Sequence, residues 1–137
     1  MREMIDPERV LIRDSTDIVR ARAVARQVAN QIGFTLADQT RLATAVSELT
    51  RNIVQYAGEG VCEIADASGE EEIRLRIIVE DNGPGIDDID RAMKDGYSTG
   101  GGLGVGLPGT RRLMDDFAIE SSPGCTRVSI ALVRRRV

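Results

Sequence analysis

Two glycine clusters constrain this chain more than any other feature of it. The first is Asp81-Asn82-Gly83-Pro84-Gly85-Ile86, and the second is Ser98-Thr99-Gly100-Gly101-Gly102-Leu103-Gly104-Val105-Gly106-Leu107. Glycine gives up backbone order in return for positive φ or the close approach of another group. Clusters bordered by apolar segments therefore point to a loop built around a ligand, and a phosphate-bearing one suits the second cluster. That cluster runs into Leu107-Pro108-Gly109-Thr110-Arg111-Arg112-Leu113-Met114, which reads as a helix opening with Pro108 in its first turn, where the missing N–H costs nothing. Free N–H groups and the positive end of the helix dipole would face an anion there.

Upstream, Glu8 to Asp14 carries Val10, Leu11 and Ile12 between charges and reads as a short strand. Ser15-Thr16-Asp17 is a helix N-cap signal, and Ile18, Ala21, Ala25, Val28 and Ile32 follow at spacings of three and four until Gly33 stops the helix. Arg20, Arg22 and Arg26 lie off that stripe, either as a solvated face or as a partner or phosphate contact. A second helix opens at Thr35-Leu36-Ala37-Asp38 and is expected to reach about Tyr56, with Gly58 as its stop and Leu42, Ala45, Val46, Leu49, Ile53 and Tyr56 as its apolar face. Glu48 and Asn52 stand one turn apart on the flank of that face. Alone they make an ordinary exposed pair; beside the glycine clusters they are candidates to line a cleft.

Val61 to Asp66 reads as a weak strand, and Ala67-Ser68-Gly69-Glu70 as a turn. Ile73, Leu75, Ile77 and Val79 alternate with Arg74, Arg76, Ile78 and Glu80, the period of a half-buried strand that delivers Asp81 to the first glycine cluster. Asp-Asn-Gly is also turn chemistry in its own right, so Asp81 is open to either reading. Asp87 to Tyr97 suggests a short helix, and residues 87–102 a lid between glycine hinges. A third helix is expected over Leu107 to Asp116. Phe117 to Ser122 and Arg127 to Val133 would close the chain as a hairpin around Ser122-Pro123-Gly124, leaving Arg134-Arg135-Arg136 as a frayed tail. This order of elements predicts one α+β domain over 1–137, a two-layer sandwich with one mixed, mostly antiparallel sheet covered on one face by about three helices.

Composition removes several function classes. A net charge of −4 argues against a general nucleic-acid binder. With no histidine, His-based zinc sites and Ser-His-Asp or Cys-His catalysis are impossible within the chain. Cys62 and Cys125 have no CxxC spacing and no secretory signal before them, so a reduced cytoplasmic chain with both as small core residues is expected. No apolar run is long enough to span a bilayer. Gly104-Val105-Gly106-Leu107-Pro108-Gly109 matches GxGxxG, but the strand that should precede it directly is far upstream, and the Walker, HRD and DFG patterns are absent.

Three boxes together carry a resemblance: Glu48-Leu49-Thr50-Arg51-Asn52, Asp81-Asn82-Gly83-Pro84-Gly85 and Gly100-Gly101-Gly102-Leu103-Gly104-Val105-Gly106. In this order and at these separations the chain resembles the GHKL ATPase/kinase superfamily with its Bergerat-type fold. Within it the chain is similar to the bacterial serine kinases and anti-sigma factors of the SpoIIAB and RsbW kind, and most to the RsbT branch of stressosome switch kinases. The resemblance implies ATP and Mg²⁺ as cofactors. It implies Asp81 as acceptor for the adenine amino group, with Thr126 supporting that edge through water, although Cys125 stands where relatives more often have glycine before the threonine. By the same resemblance Asn52 ligates Mg²⁺ and Gly102, Gly104 and Gly106, with Leu103 and Val105 between them, cradle the phosphates. Gly83 belongs to the implied nucleotide-binding set, Gly85 shapes the pocket floor, and Glu48 is the general base toward a serine hydroxyl. The implied substrate is a STAS-domain protein, and the kinase, once released, activates a PP2C-type phosphatase. Phosphoryl transfer is mostly positioning and charge neutralisation, so one carboxylate, a metal and backbone dipoles suffice. The competing readings are an anti-sigma factor or nucleotide-gated module that sequesters a sigma factor, and a detached histidine-kinase catalytic domain, which the missing histidine and missing dimerisation helix disfavour.

Overall fold

The structure is a computed structural model and describes residues 7–83 and 106–136. Strand β1 (Glu8–Ile12) leads into α1 (Ser15–Ile32) and α2 (Leu36–Asn52), and one wide turn, Ile53–Ala57, continues α2. Strands β2 (Gly60–Asp66) and β3 (Glu72–Asp81) follow, then α3 (Gly106–Leu113), β4 (Asp116–Ser122) and β5 (Cys125–Arg135). The sheet order is β1-β2-β3-β5-β4, and every pairing among the described strands is antiparallel. The helices lie on one face of this sheet, as the order of elements predicts.

Alternation decides which face that is. Val10 and Ile12, Cys62 and Ile64, Ile73 to Val79 at every second residue, and Val128, Ile130 and Leu132 are buried toward the helices, where Ala21, Ala25, Ala29, Leu42, Val46 and Leu49 meet them. Small residues on α1 let it lie close to the sheet. The cap of α1 is Asp14, one residue before the expected Ser15: its carboxylate accepts from the Thr16 and Asp17 N–H groups, and Gly33 closes the helix at φ 114°. Ile18, expected at the head of the buried stripe, is only half-buried, because Asp17 takes that place and receives the Arg13 N–H at 2.9 Å.

Two further expectations fail for identifiable reasons. Tyr56 is 44% exposed, because the wide turn at Ile53–Ala57 adds a residue to the helical period and rotates Tyr56 off the apolar face, while Val54 still packs against the core. The C-terminal arginines are not frayed. Arg134 lies within β5 and clamps the buried Asp38 with two bonds of 2.9 Å while also reaching Asp115 at 3.0 Å, and Arg136 donates to the Glu71 and Gly69 carbonyls. A planar guanidinium that satisfies a buried carboxylate two-fold ties β5 to the first turn of α2.

Candidate functional site

The helix-facing side of the sheet is apolar until its last row, where it turns polar. Val79 pairs with Val128, and Val128 with Ile119; one step on, Gly60, Asp81, Thr126 and Ser121 stand side by side on β2, β3, β5 and β4. Thr126 is buried, Asp81 and Ser121 are half-buried, and the Ser121 and Thr126 hydroxyls share a hydrogen bond of 2.7 Å. Burial pushes the Asp81 carboxyl above the usual carboxylate range; Glu80 adds to the rise, and the Gly83 N–H, donating to Oδ1 at 2.9 Å, opposes it. Asp81 therefore forms a turn with Gly83 and also stands in a polar row at the end of the sheet.

Glycine brings α2 to this row. A Cβ on Gly60 would lie 2.5 Å from the Glu80 carbonyl oxygen and against the Ile53 side chain; on Gly83 it would lie 2.6 Å from the Ala57 Cβ. Neither position has a positive φ, so the requirement here is space. Gly83 also accepts the Gly124 N–H at 3.0 Å, which ties the end of β3 to the β4–β5 hairpin, while Gly124 makes that turn at φ 93° after Pro123. The wide turn, the end of β3 and the hairpin are thus packed together.

The last turns of α2 carry the other candidates. Glu48 is only 8% exposed, and its Oε2 receives Arg51 Nη1 at 3.2 Å; Asn52 ends the helix, half-buried. Burying a carboxylate without a partner is costly, so the exposed guanidinium of Arg51 makes this position tenable. Against α2 packs α3, whose first residue Gly106 has φ 69° and whose Thr110 hydroxyl donates to the Gly106 carbonyl at 2.9 Å. Gly85, Gly102, Leu103, Gly104 and Val105, and the lid expected over 87–102, lie outside the described residues.

The donors suit a Mg-nucleotide. Among the described residues no three His, Cys, Asp or Glu side chains gather, which excludes an all-protein cage of carboxylates there. Magnesium needs no such cage: it keeps waters and phosphate oxygens and takes one or two hard oxygens from the protein, which the Asn52 amide can supply. The polar row fits a base with an amino group. Of the two cysteines, Cys62 is a core residue whose thiol burial pushes up to about 12, whereas Cys125 is half-buried at the hairpin, 3.6 Å from Glu80 Oε1, and is not in the core. Sequence reasoning missed Ala57, Gly60 and Ser121. Gly60, a lone glycine directly before a strand, was the one with a visible signal.

Known proteins resemble this chain in sequence and in fold. The family model of the histidine kinase-like ATPase domain matches residues 13–132. The serine/threonine-protein kinase RsbT of Bacillus subtilis is 50% identical over 121 residues, covering 88% of this chain and 91% of that protein. The serine-protein kinase RsbW of Bacillus anthracis is 37% identical, covering 79% of this chain and 72% of that protein. Among solved structures, the RsbU and RsbW domains of a Mycobacterium tuberculosis protein superpose with a TM-score of 0.64 at 20% identity, over 96% of this chain and 33% of that one. A mycobacterial sensor histidine kinase, MprB, does so at 0.55 and 15%, over 96% and 99%. These two show the fold. With the family match over most of its length and half of the 121 aligned residues identical to RsbT, the chain belongs to the histidine kinase-like ATPase domain family, on its branch of bacterial serine/threonine-protein kinases.

Proposed function

We propose that this protein, as one catalytic unit over residues 1–137, transfers the γ-phosphoryl group of ATP to a serine hydroxyl of a STAS-domain protein in a stress-response partner switch, and once released activates a PP2C-type phosphatase. The observation that carries the reading is the placement of Glu48, a nearly buried carboxylate one turn before Asn52 on a helix whose end is packed against the Asp81 strand end. Of the relatives that share most of the chain, RsbT is by name a serine/threonine-protein kinase and RsbW a serine-protein kinase.

Each residue then has a task. Asp81 accepts from the adenine amino group, with Thr126 beside it on β5, and the Gly83 N–H fixes the carboxylate that does so. Gly85 shapes the floor of the pocket, and the backbone N–H groups of Gly102 to Gly106 meet the phosphate chain. Asn52 holds Mg²⁺, which neutralises charge on the phosphates when bound. Glu48 takes the proton of the acceptor hydroxyl as its oxygen bonds to the γ-phosphorus and the bond to the β-phosphate oxygen breaks, leaving ADP. Two unpaired thiols support a cytoplasmic setting, and none of the described helices is long and apolar enough to cross a membrane.

A transfer assay with labelled ATP, Mg²⁺ and STAS proteins of the same genome tests this, with Glu48→Ala alongside. Label on a STAS serine that the variant fails to produce is the expected result. ATP binding without labelling of any STAS protein would replace the kinase with a nucleotide-gated binding module, to be pursued with sigma factors and phosphatases by pull-down.

A further inference from the structure

We infer that Ser121 is a positioning residue for nucleobase recognition, acting through Thr126 to set the site's preference for adenine. The inference rests on the adenine-binding reading above and adds to it a residue that neither the motifs nor the sequence pattern singled out. β4 is an edge strand whose helix-facing side carries Phe117 and Ile119 against the core, and alternation places Ser121 next on that side. An apolar residue would continue the pattern; a hydroxyl breaks it where Asp81 and Thr126 break it on β3 and β5. Three adjacent strands thus end in carboxylate, hydroxyl and hydroxyl.

The 2.7 Å contact between Ser121 Oγ and Thr126 Oγ1 gives the pair a chemical consequence. Each hydroxyl has one proton and two lone pairs and either can donate; where Thr126 donates to Ser121, its proton is occupied and only lone pairs of Thr126 are left for the base. An ionised Asp81 only accepts, which selects a donor on the base, the 6-amino group. A Thr126 oxygen whose proton is held by Ser121 likewise only accepts, a pattern that a 6-oxo group does not match, and mismatched polar groups at a half-buried edge are penalised by the loss of their solvation. Thr126 without Ser121 still has its hydroxyl, but one that turns to suit either base.

The test is calorimetry of ADP and of IDP, which carries a 6-oxo group, on the full chain. Ser121→Ala should weaken ADP binding roughly three- to tenfold, the loss of about one hydrogen bond's ordering, while IDP changes little, so that the ADP/IDP ratio narrows. Ser121→Thr should restore the ratio. In a Thr126→Val background Ser121→Ala should have no further effect. Wild-type ADP affinity in Ser121→Ala, or an equal loss for ADP and IDP with a lowered Tm, would overturn the inference. Asp81→Asn, run in parallel, separates the two levels: if it leaves ADP affinity intact the adenine-site reading itself falls, whereas a loss there with no effect at Ser121 removes this inference alone.

Discussion

Adding one methyl group at Gly83 tests the joint that brings the two halves of the site together. In Gly83→Ala the new Cβ would stand 2.6 Å from the Ala57 Cβ and 3.0 Å from its Cα, and 3.2 Å from Asp81 Oδ1. Gly83 has no positive φ, so the whole effect is overpacking, which costs about 1–3 kcal/mol. The unfolding entropy of a chain of 137 residues, at about 2.1 cal/mol/K each, makes 1 kcal/mol worth roughly 3.5 °C in Tm, so a fall of about 3–10 °C is expected. Relief must come from moving the end of β3 away from the wide turn, which also displaces the N–H that orients Asp81, and ADP affinity should fall with stability. Ala57→Gly supplies the control. On its own it costs about 1 kcal/mol of helical propensity, but in the double variant the closest contact is gone. Calorimetric ADP titration and thermal unfolding of the four proteins give a double-mutant cycle, in which Gly83→Ala should cost at least about 1 kcal/mol less in the Ala57→Gly background than in the wild-type one. Strict additivity of the two changes, or a Gly83→Ala protein with wild-type Tm and affinity, would refute the claim that this contact positions Asp81.

Other perturbations separate function from stability. Burial holds the Asp81 carboxyl above its ordinary 3.8, so the folded state binds its proton more readily than the unfolded chain, and stability is lost as pH rises from 3.8 through the folded value. Asp81→Asn should therefore abolish ADP binding while leaving Tm at pH 7 unchanged or higher, with the difference vanishing below pH 3.8; a lower Tm at pH 7 contradicts this. Asp17 has the opposite sign: the Arg13 N–H first, and then Arg20, hold its carboxyl below 3.8, so its stabilisation is present above 3.8 and lost as pH falls through the folded value. Asp17→Asn should lower Tm at pH 7, with the deficit shrinking as pH falls below 3.8, and a deficit independent of pH would refute the assignment. Arg134→Ala removes two of the bonds on buried Asp38 and leaves it Arg41, for a loss of about 1–3 kcal/mol, with Arg134→Lys recovering part; an unchanged Tm would return the C-terminus to the frayed tail the sequence pointed to. The Cys62 thiol, pushed up to about 12, should resist alkylation at pH 8 until the protein unfolds, and rapid labelling of the native protein would contradict its burial.

The parts of this molecule that were legible in the sequence are those fixed by short-range rules. Period two in Ile73 to Val79 and period 3.6 in α1 and α2 were enough to place the strands, the helices and the face each buries. What could not be read depends on partners distant in the chain. Nothing near Arg134 announces that Asp38, 96 residues earlier, has its carboxylate in the core and takes a second cation besides Arg41. The wide turn after Asn52 is equally invisible, because Val54, Gln55 and Tyr56 continue an acceptable helical pattern. It is fixed by what it packs against, since Ile53 is needed against Gly60 and Ala57 against Gly83.

That last point ties the fold to the site more closely than the motifs do. A regular helix through residue 57 would hold Tyr56 against the sheet and leave no reason for two glycines, on β2 and at the end of β3, to be bare. With the extra residue in the turn, Tyr56 points outward, Ala57 reaches Gly83, and the Asp81 strand end is locked to the helix that carries Glu48 and Asn52. The two glycines and the irregular turn are therefore one device: each is unfavourable alone, by lost helical regularity or added backbone entropy, and together they set the relation between the Asp81 strand end and the helix that carries Glu48. In the proposed function Asp81 holds one end of the nucleotide and Glu48 acts at the other, and the contact between residues 57 and 83 ties together the segments that carry them.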